Sequence, residues 1–218
     1  MDTHMDGTGT EAPLTPAAAW EEMTRGNERF IMGAPRHPRQ DSERRAELLT
    51  LQEPHAVLFG CSDSRVTAEI IFDKGIGDLF VVRNAGHVVS ESALGSIEYG
   101  VALLKVPLLI VLRHEGCGAV RAAIDSELPG AAPLPPHINS LVEQIVPAVR
   151  TVHHKHEDEA EPDAAEVGRQ HLENTIGQLL ERSEIISEAV AAGTLAIVGA
   201  SYRLAEGRAI RETVVGKI

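Results

Sequence analysis

Four short apolar runs stand out along the chain, and each is continuous rather than alternating with polar residues. They are Ala56–Phe59, Leu79–Val82, Leu108–Leu112 and Leu195–Val198. Continuous apolar runs of this length are typical of strands that are buried on both faces, as in a parallel sheet. The pattern therefore predicts four buried strands. A further strand at one edge of the sheet is expected over Arg208–Val215.

Between the last three of these runs, the apolar positions recur at helical spacing instead. One set runs from Leu94 to Leu104, a second from Ile138 to Val149 and a third from Leu172 to Val190. Strands that alternate with helices form a parallel sheet with right-handed crossover helices on its faces. We therefore predict an α/β fold, with a mostly parallel central β-sheet, flanking helices and an N-terminal helical arm.

The start of the chain divides into a polar segment and a helix. Residues 1–14 are polar and rich in glycine, so we expect a disordered N-terminal tail, and residues 15–218 are expected to form a single domain. Thr15 followed by Pro16 is a typical helix start, with threonine as the N-cap and proline in the first turn. The apolar positions from Trp20 to Ile31 lie roughly on one face of this helix.

Three further segments have simpler predictions. A short helix is expected over Ser42–Leu51, and the proline-rich segment Leu128–His137 is expected to be irregular. The segment Thr151–Asp163 is highly charged and is expected to be a loop. It contains His153, His154 and His156 among carboxylates. A solvated surface explains these histidines better than a metal site does.

Charge and hydrophobicity exclude several classes of partner. The net charge is −12 at pH 7, whereas proteins that hold a nucleic acid rely on clustered lysine and arginine. The longest apolar runs, such as Val106–Leu112, are far shorter than the roughly 20 residues that a membrane span needs. The chain does not open with a basic segment followed by an apolar one, so no signal peptide is expected. We expect a cytoplasmic protein that binds neither nucleic acid nor membrane.

The two cysteines of the chain, Cys61 and Cys117, follow closely on predicted strands, and His114 lies near the second of them. The carboxyl ends of parallel strands share one edge of the sheet, where ligands bind in α/β proteins, so the three side chains can meet there. Thiolate and imidazole suit zinc, and three protein ligands leave a fourth position open, as in catalytic zinc sites. Cysteines with only a packing role fit the spacing equally well. Spacing alone leaves both interpretations open.

The residues around these positions resemble the β-class carbonic anhydrases over about residues 17–216. The agreement in order and spacing covers Cys61–Arg65, His114-x-x-Cys117-Gly118, Ala68–Asp73, Asp78–Gly86, Gly95–Tyr99 and Val198–Tyr202. The resemblance implies one zinc ion per chain, held by Cys61, His114 and Cys117. It also implies reversible hydration of carbon dioxide to bicarbonate and a proton, by attack of zinc-bound hydroxide.

The resemblance assigns catalytic roles to Asp63 and Arg65. The carboxylate would accept the hydrogen of the zinc-bound hydroxide, while the guanidinium holds that carboxylate off the metal by a charge-assisted pair. A structural salt bridge is the alternative for this pair. Members of the family can also adopt a closed form in which the aspartate replaces water on zinc. Asp63 is therefore a candidate fourth ligand, and activity is expected to fall at acid pH.

Two positions depart from the family pattern. Arg113 precedes His114 where the family usually has glycine. The arginine can crowd the pocket, attract bicarbonate or point away, and it would be strained if the backbone needed a positive φ. Leu58 replaces the tryptophan of a non-catalytic bicarbonate site found in some bacterial members, although Arg83 and Tyr202 resemble its other partners. We expect catalytic activity without that form of regulation.

Several other residues are weaker candidates. Gly86 and Gly118 are expected to let the backbone approach the site closely. Glu69 and Arg83 are expected to form a structural pair. Candidates for an apolar carbon dioxide pocket, with ordinary core packing as the alternative, are Val66, Val88 and Leu112.

Two alternative functions remain open on the sequence. One is a hydrolase of carbon disulfide or carbonyl sulfide, because relatives on this scaffold take such substrates. The other is a zinc-binding structural or regulatory protein without catalysis, which Arg113 would favour. The resemblance also implies a homodimer or homotetramer, in which the helix from Trp20 to Ile31 lies on the partner.

Overall fold

A mostly parallel sheet forms the centre of the molecule. The computed structural model of the chain describes residues 14–155 and 161–218. Its strands in these ranges are β1 (Ala56–Cys61), β2 (Leu79–Asn84), β3 (Leu108–His114), β4 (Ala196–Arg203) and β5 (Arg208–Val215). They lie in the order β2-β1-β3-β4-β5, with the first four parallel and β5 antiparallel to β4. The predicted α/β class and the predicted edge strand are confirmed.

Burial differs among the strands because of their place in this order. Strands β1 and β3 are buried along their whole length, and β4 is buried up to its last residue. The prediction that all four apolar runs are buried on both faces is wrong for β2, whose residues are half-buried or exposed. Among the described strands, β2 pairs only with β1 and therefore has one flank that none of them covers.

Helices cover both faces of the sheet. In the described ranges they are α1 (Pro16–Ile31), α2 (Ser42–Glu47), α3 (Ala68–Ile71), α4 (Glu91–Ala102), α5 (Gly118–Ser126), α6 (Pro136–Val142), α7 (Val146–Lys155), α8 (Ala164–Arg182) and α9 (Glu184–Ala191), with a 3-10 turn over Ala85–His87. One face of the sheet packs on α4, α8 and α9, and the other on α1 and α3. None of these helices is long and apolar enough to cross a bilayer.

Two apolar patterns that predicted single helices each form two. The pattern over Ile138–Val149 is interrupted between Val142 and Val146. Pro147 has no N–H to donate, and its ring would clash with the carbonyl of residue 143 in a continuous helix. Proline is tolerated in the first turn of a helix, so α7 starts immediately before it.

The pattern over Leu172–Val190 divides at Ser183 in the same way. Ser183 has an extended backbone, with φ −126° and ψ 108°, and its hydroxyl accepts a hydrogen bond from the N–H of Ile186. The same hydroxyl donates to the carboxylate of Glu98 at 2.6 Å. The serine therefore ends α8 and caps α9.

Three predicted segments, one helix and two loops, need correction at their ends. The helix expected over Ser42–Leu51 stops at Glu47, and α6 begins at Pro136 within the segment expected to be irregular. Helix α7 continues to Lys155, into the segment expected to be a charged loop. His153 and His154 are exposed, as expected of a solvated surface, whereas His156 lies outside the described residues.

The predicted N-terminal helix is confirmed as α1. The hydroxyl of Thr15 accepts a hydrogen bond from the N–H of Ala18 at 3.2 Å, as expected of an N-cap. Met23 is fully buried in the core of its own chain. The side-chain amide of Asn27 donates to the carbonyls of Ile71 and Gly207. These hydrogen bonds connect α1 to the end of α3 and to the turn before β5. Of the expected disordered tail, residues 1–13 lie outside the described residues.

Candidate metal centre

Strands β1 and β3 bring the three candidate ligands to one edge of the sheet. The two strands are parallel neighbours, so their last residues, Cys61 and His114, lie at the same edge of the sheet. Cys117 follows as the N-cap residue of α5. The Sγ atoms of the two cysteines are 3.9 Å apart, and the ligand atoms of all three residues lie within 4.8 Å of one another. All three side chains are buried.

The imidazole of His114 presents a free nitrogen to the two sulfurs. Its Nδ1 lies 2.9 Å from the carbonyl oxygen of Glu115. Because a carbonyl only accepts, Nδ1 carries the hydrogen and Nε2 has a bare lone pair. Nε2 is buried and finds no hydrogen-bond partner in the described part of the chain. A group of this kind could hold a metal ion.

The spacing of the sulfurs can be compared with what a zinc ion requires. A tetrahedral zinc with bonds of about 2.3 Å to sulfur sets two thiolates about 3.8 Å apart. The observed separation of 3.9 Å between Cys61 and Cys117 agrees with this value. The Nδ1 hydrogen bond of His114 also fits, because such bonds fix the ring orientation of metal-binding histidines.

The two cysteine thiols shift each other's pKa in opposite directions. A hydrogen bond from Cys117 lowers the pKa of the Cys61 thiol, with help from the N–H of Gly86, and these outweigh burial. The same bond and burial raise the pKa of Cys117. A metal dication between the sulfurs would reverse the effect at Cys117, because coordination deprotonates a thiol outright.

Asp63 and Arg65 form a bidentate ion pair beside the metal-binding group. Arg65 Nε and Nη2 donate to the two carboxylate oxygens at 2.9 and 2.7 Å, and the Arg65 N–H donates at 3.0 Å. Arg65 Nη2 also reaches the carbonyl of Gly116 at 3.1 Å. This pairing holds the pKa of Asp63 well below its usual range. Asp63 Oδ2 lies 3.9 Å from His114 Nε2.

Arg83 supports the turn that carries these residues, a role that the sequence did not indicate. Its Nε donates to the carbonyl of Cys61 at 2.9 Å, and its Nη2 donates to the carbonyl of Asp63 at 2.7 Å. The predicted pair with Glu69 is wrong, because no ion pair between the two occurs among the described residues. The role of Arg83 follows from the strand register, because Arg83 on β2 lies beside Gly60 on β1.

Arg113 points away from the metal-binding group. Its Nε and Nη2 lie 3.1 and 2.8 Å from the carboxylate of Glu212 on β5, and its side chain is only 7% exposed. The φ of Arg113 is not positive, so the backbone strain that a positive φ would cause does not arise. Gly168 of α8 makes room for it, since a Cβ there would lie 3.1 Å from Arg113 Nη1.

The two glycines and the three apolar residues named as weaker candidates differ in how closely they approach the metal-binding group. Gly86 has φ +74°, and a Cβ there would lie 2.8 Å from Ile145 Cδ1, so close backbone approach is confirmed. A Cβ at Gly118 would meet no described atom within 4 Å, so the same expectation for Gly118 stays a prediction. Val88 packs in the cluster that contains both cysteines, whereas Val66 and Leu112 pack in a separate core cluster.

Fold and site together define an α/β protein with a Cys–His–Cys metal-binding group, and sequence comparisons identify the family. A sequence model of the carbonic anhydrase family matches residues 56–209. Carbonic anhydrase 2 of Mycobacterium tuberculosis is 47% identical over 207 residues, which cover 93% of this chain and 96% of that protein. The carbonic anhydrase of Mycolicibacterium smegmatis is 47% identical over 206 residues, with the same coverage.

Solved structures agree with the sequence comparisons. A tetrameric β-carbonic anhydrase from Sordaria macrospora has a TM-score of 0.66 at 26% identity, covering 77% of this chain and 84% of its own. The Coccomyxa β-carbonic anhydrase in complex with acetazolamide has the same fold, with a TM-score of 0.68 at 23% identity and coverage of 94% and 90%. The chain belongs to the β-carbonic anhydrase family.

Proposed function

We propose that the chain is a zinc enzyme that hydrates carbon dioxide reversibly to bicarbonate and a proton, with Cys61, His114 and Cys117 as zinc ligands. The observation that carries the proposal is the buried Nε2 of His114, which has no hydrogen-bond partner among the described residues and lies within 4.8 Å of both cysteine sulfurs. Family membership supports the reaction. Three protein ligands leave one coordination position for water, which is the arrangement of catalytic zinc.

Zinc bound here would lower the pKa of a coordinated water to about 7 and so supply a nucleophile for carbon dioxide near neutral pH. Asp63 stays ionised throughout this range, because the ion pair with Arg65 lowers the pKa of its carboxyl group. An ionised carboxylate only accepts hydrogen bonds. We assign Asp63 the role of accepting the O–H of the nucleophile, which turns an oxygen lone pair toward carbon dioxide.

Arg65 has the complementary role of keeping Asp63 off the metal. Its guanidinium occupies both carboxylate oxygens, and the Gly116 carbonyl fixes its position. The closed form, with Asp63 as a fourth ligand, requires these bonds to break. We propose that this exchange occurs at acid pH, where the nucleophile is scarce. A pH–rate profile that stays flat from about pH 6 to 9, around the expected pKa of the zinc-bound water, would contradict it.

The competing functions differ in their support. The non-catalytic protein was favoured by Arg113, whose side chain pairs with Glu212 instead of entering the site. No contact in the described residues favours carbon disulfide or carbonyl sulfide over carbon dioxide. Assays of the purified protein with all three gases compare these substrates directly.

We further propose that the chain forms a homodimer or homotetramer and acts in the cytoplasm. The open flank of β2 supports assembly, because exposed strand edges are usually covered in native proteins. The Sordaria macrospora relatives are described as tetrameric. Two free cysteines that act as thiolate ligands suit a reducing compartment. Light scattering of the purified chain and cell fractionation test the two statements.

The central experiment combines metal content with carbon dioxide hydration kinetics. Wild type is expected to hold one zinc per chain and to hydrate carbon dioxide well above background, whereas Cys61→Ser is expected to lose both. His153→Asn is the matched control, because this histidine is exposed on α7 and remote from the three ligands in sequence. A Cys61→Ser protein with full zinc and full activity would refute the proposed site.

A further inference from the structure

A buried histidine on α8 contacts the backbone that supports the metal-binding group. His171 is 2% exposed, and its Nε2 lies 2.7 Å from the carbonyl oxygen of Gly86. The two residues are 85 positions apart in the sequence, so the contact joins a helix on one face of the sheet to the turn after β2. Because a carbonyl only accepts, Nε2 is the donor and Nδ1 carries no hydrogen on a neutral ring.

The buried environment of His171 favours the neutral ring. Burial lowers the pKa of His171, with the Gly86 hydrogen bond and the nearby Cys61 acting in the opposite direction. Nδ1 has no partner among the described residues, and neither has either ring nitrogen of His87, whose ring centroid is 4.6 Å away. The contact with Gly86 is therefore the hydrogen bond that fixes the orientation of His171.

Gly86 itself connects His171 to a metal ligand. Its N–H donates to Cys61 Sγ at 3.3 Å. Its backbone has φ +74° and ψ 10°, a left-handed conformation that other residues seldom adopt. The neighbouring side chains leave no space to relax, because a Cβ at Gly86 would lie 2.9 Å from Ala119 Cβ. The carbonyl on one side and the N–H on the other are thus held by His171 and Cys61.

We propose that His171 is a positioning residue for the metal centre: by holding the Gly86 carbonyl it fixes the Gly86 N–H on the sulfur of Cys61. The proposal rests on the proposed zinc site and adds to it a residue outside the ligands and the Asp63–Arg65 pair. Hydrogen bonds to a metal ligand stabilise its charge and orient its lone pairs, and loss of such outer contacts commonly reduces metal affinity about 10- to 100-fold.

The test compares three buried substitutions in the full-length protein. His171→Phe fills the site without a donor, and His171→Gln keeps an N–H that can reach the Gly86 carbonyl. Thr175→Val is the matched control, because Thr175 lies one turn further along α8 and is 1% exposed, and its hydroxyl has no hydrogen-bond partner in the described part of the chain. Zinc affinity is measured by competition with a chelator. The cobalt(II)-substituted protein gives the sulfur-to-cobalt charge-transfer band.

The expected result is a zinc affinity about 10- to 100-fold weaker in His171→Phe, with rescue by His171→Gln and no change in Thr175→Val. The charge-transfer band of His171→Phe is expected at longer wavelength, because a thiolate without its N–H donor gives up electron density more easily. A merely structural defect would weaken binding without moving this band. If His171→Phe does not fold, His171→Asn, which is too short to reach the carbonyl, replaces it.

Two results would overturn the inference. One is a His171→Phe protein with wild-type zinc affinity and an unshifted band, while wild type binds zinc normally. The other is equal weakening in His171→Phe and Thr175→Val, which would indicate general repacking of α8. Failure of wild type to bind zinc would instead refute the zinc site, and this inference with it.

Discussion

The ion pair between Arg113 and Glu212 allows a prediction with an asymmetric outcome. Arg113 lies on β3, one residue before His114, and is 7% exposed at its side chain, whereas the Glu212 side chain on β5 is 23% exposed. Replacing either residue with methionine breaks the pair. Glu212→Met leaves a buried guanidinium without its partner, while Arg113→Met leaves a carboxylate that water can reach.

The expected magnitudes follow from this difference in exposure. Removing one partner of a buried pair costs about 3–5 kcal/mol, because the remaining charge stays uncompensated. We place Glu212→Met near the lower end, at about 3 kcal/mol, and Arg113→Met near 1 kcal/mol, the ordinary worth of a lost hydrogen bond. For a domain of this size, 1 kcal/mol corresponds to about 2–4 °C in Tm, so the expected losses are about 6–12 °C and 2–4 °C.

Thermal unfolding and carbon dioxide hydration are measured on both variants and on the Arg113→Met/Glu212→Met double variant. The double variant is expected to be no less stable than Glu212→Met, because no unpaired charge remains buried. Hydration rates are expected to stay near wild type in all three. The reasoning is refuted if Arg113→Met is the more destabilising change, or if its hydration rate falls severalfold while the fold is intact.

Three further predictions concern the site and the acid stability of the chain. Gly86→Ala is expected to lose about 2–5 kcal/mol in urea unfolding, the sum of a left-handed backbone at about 1–2 and overpacking at about 1–3; wild-type stability would contradict this. Arg65→Leu is expected to release Asp63 and slow hydration about 10- to 100-fold by stopped flow, with one zinc retained; an unchanged rate would exclude this role. Burial opposes ionisation of Asp78, but the hydrogen bond from Arg39 prevails and lowers its pKa. Its stabilisation is therefore present above an unfolded pKa of about 3.9 and is lost as pH falls through the folded pKa. Asp78→Asn should flatten the stability curve below about pH 4, and an unchanged curve would count against it.

The meeting of Cys61, His114 and Cys117 could be predicted from the sequence, because local signals coincide with a topological rule. Apolar runs identify β1 and β3 as strands, and Cys61 and His114 stand where those strands end. The carboxyl ends of parallel strands meet at one edge of the sheet, whatever residues connect the strands. Pro147 also carried its own signal, since a proline inside a helical pattern predicts the break that separates α6 from α7.

What could not be predicted depends on contacts between distant segments. The direction of Arg113 is decided by Glu212 on β5, and the role of Arg83 by the register of β2 against β1. The half-burial of β2 follows from its place in the strand order, which its apolar composition does not reveal. The sequence does not single out His171, because nothing local marks its contact with Gly86.

The close fit of Arg113 against Gly168 has a consequence for how this sequence can change during evolution. A glycine inside a helix costs roughly 1 kcal/mol relative to alanine, so it persists only where something requires it. Here the requirement is the arginine, whose Nη1 would lie 3.1 Å from an added Cβ. A relative with glycine before its zinc-binding histidine is free to carry alanine at the position of Gly168. The three positions 113, 168 and 212 are therefore expected to vary together among homologues, as a coupled set separate from the catalytic one.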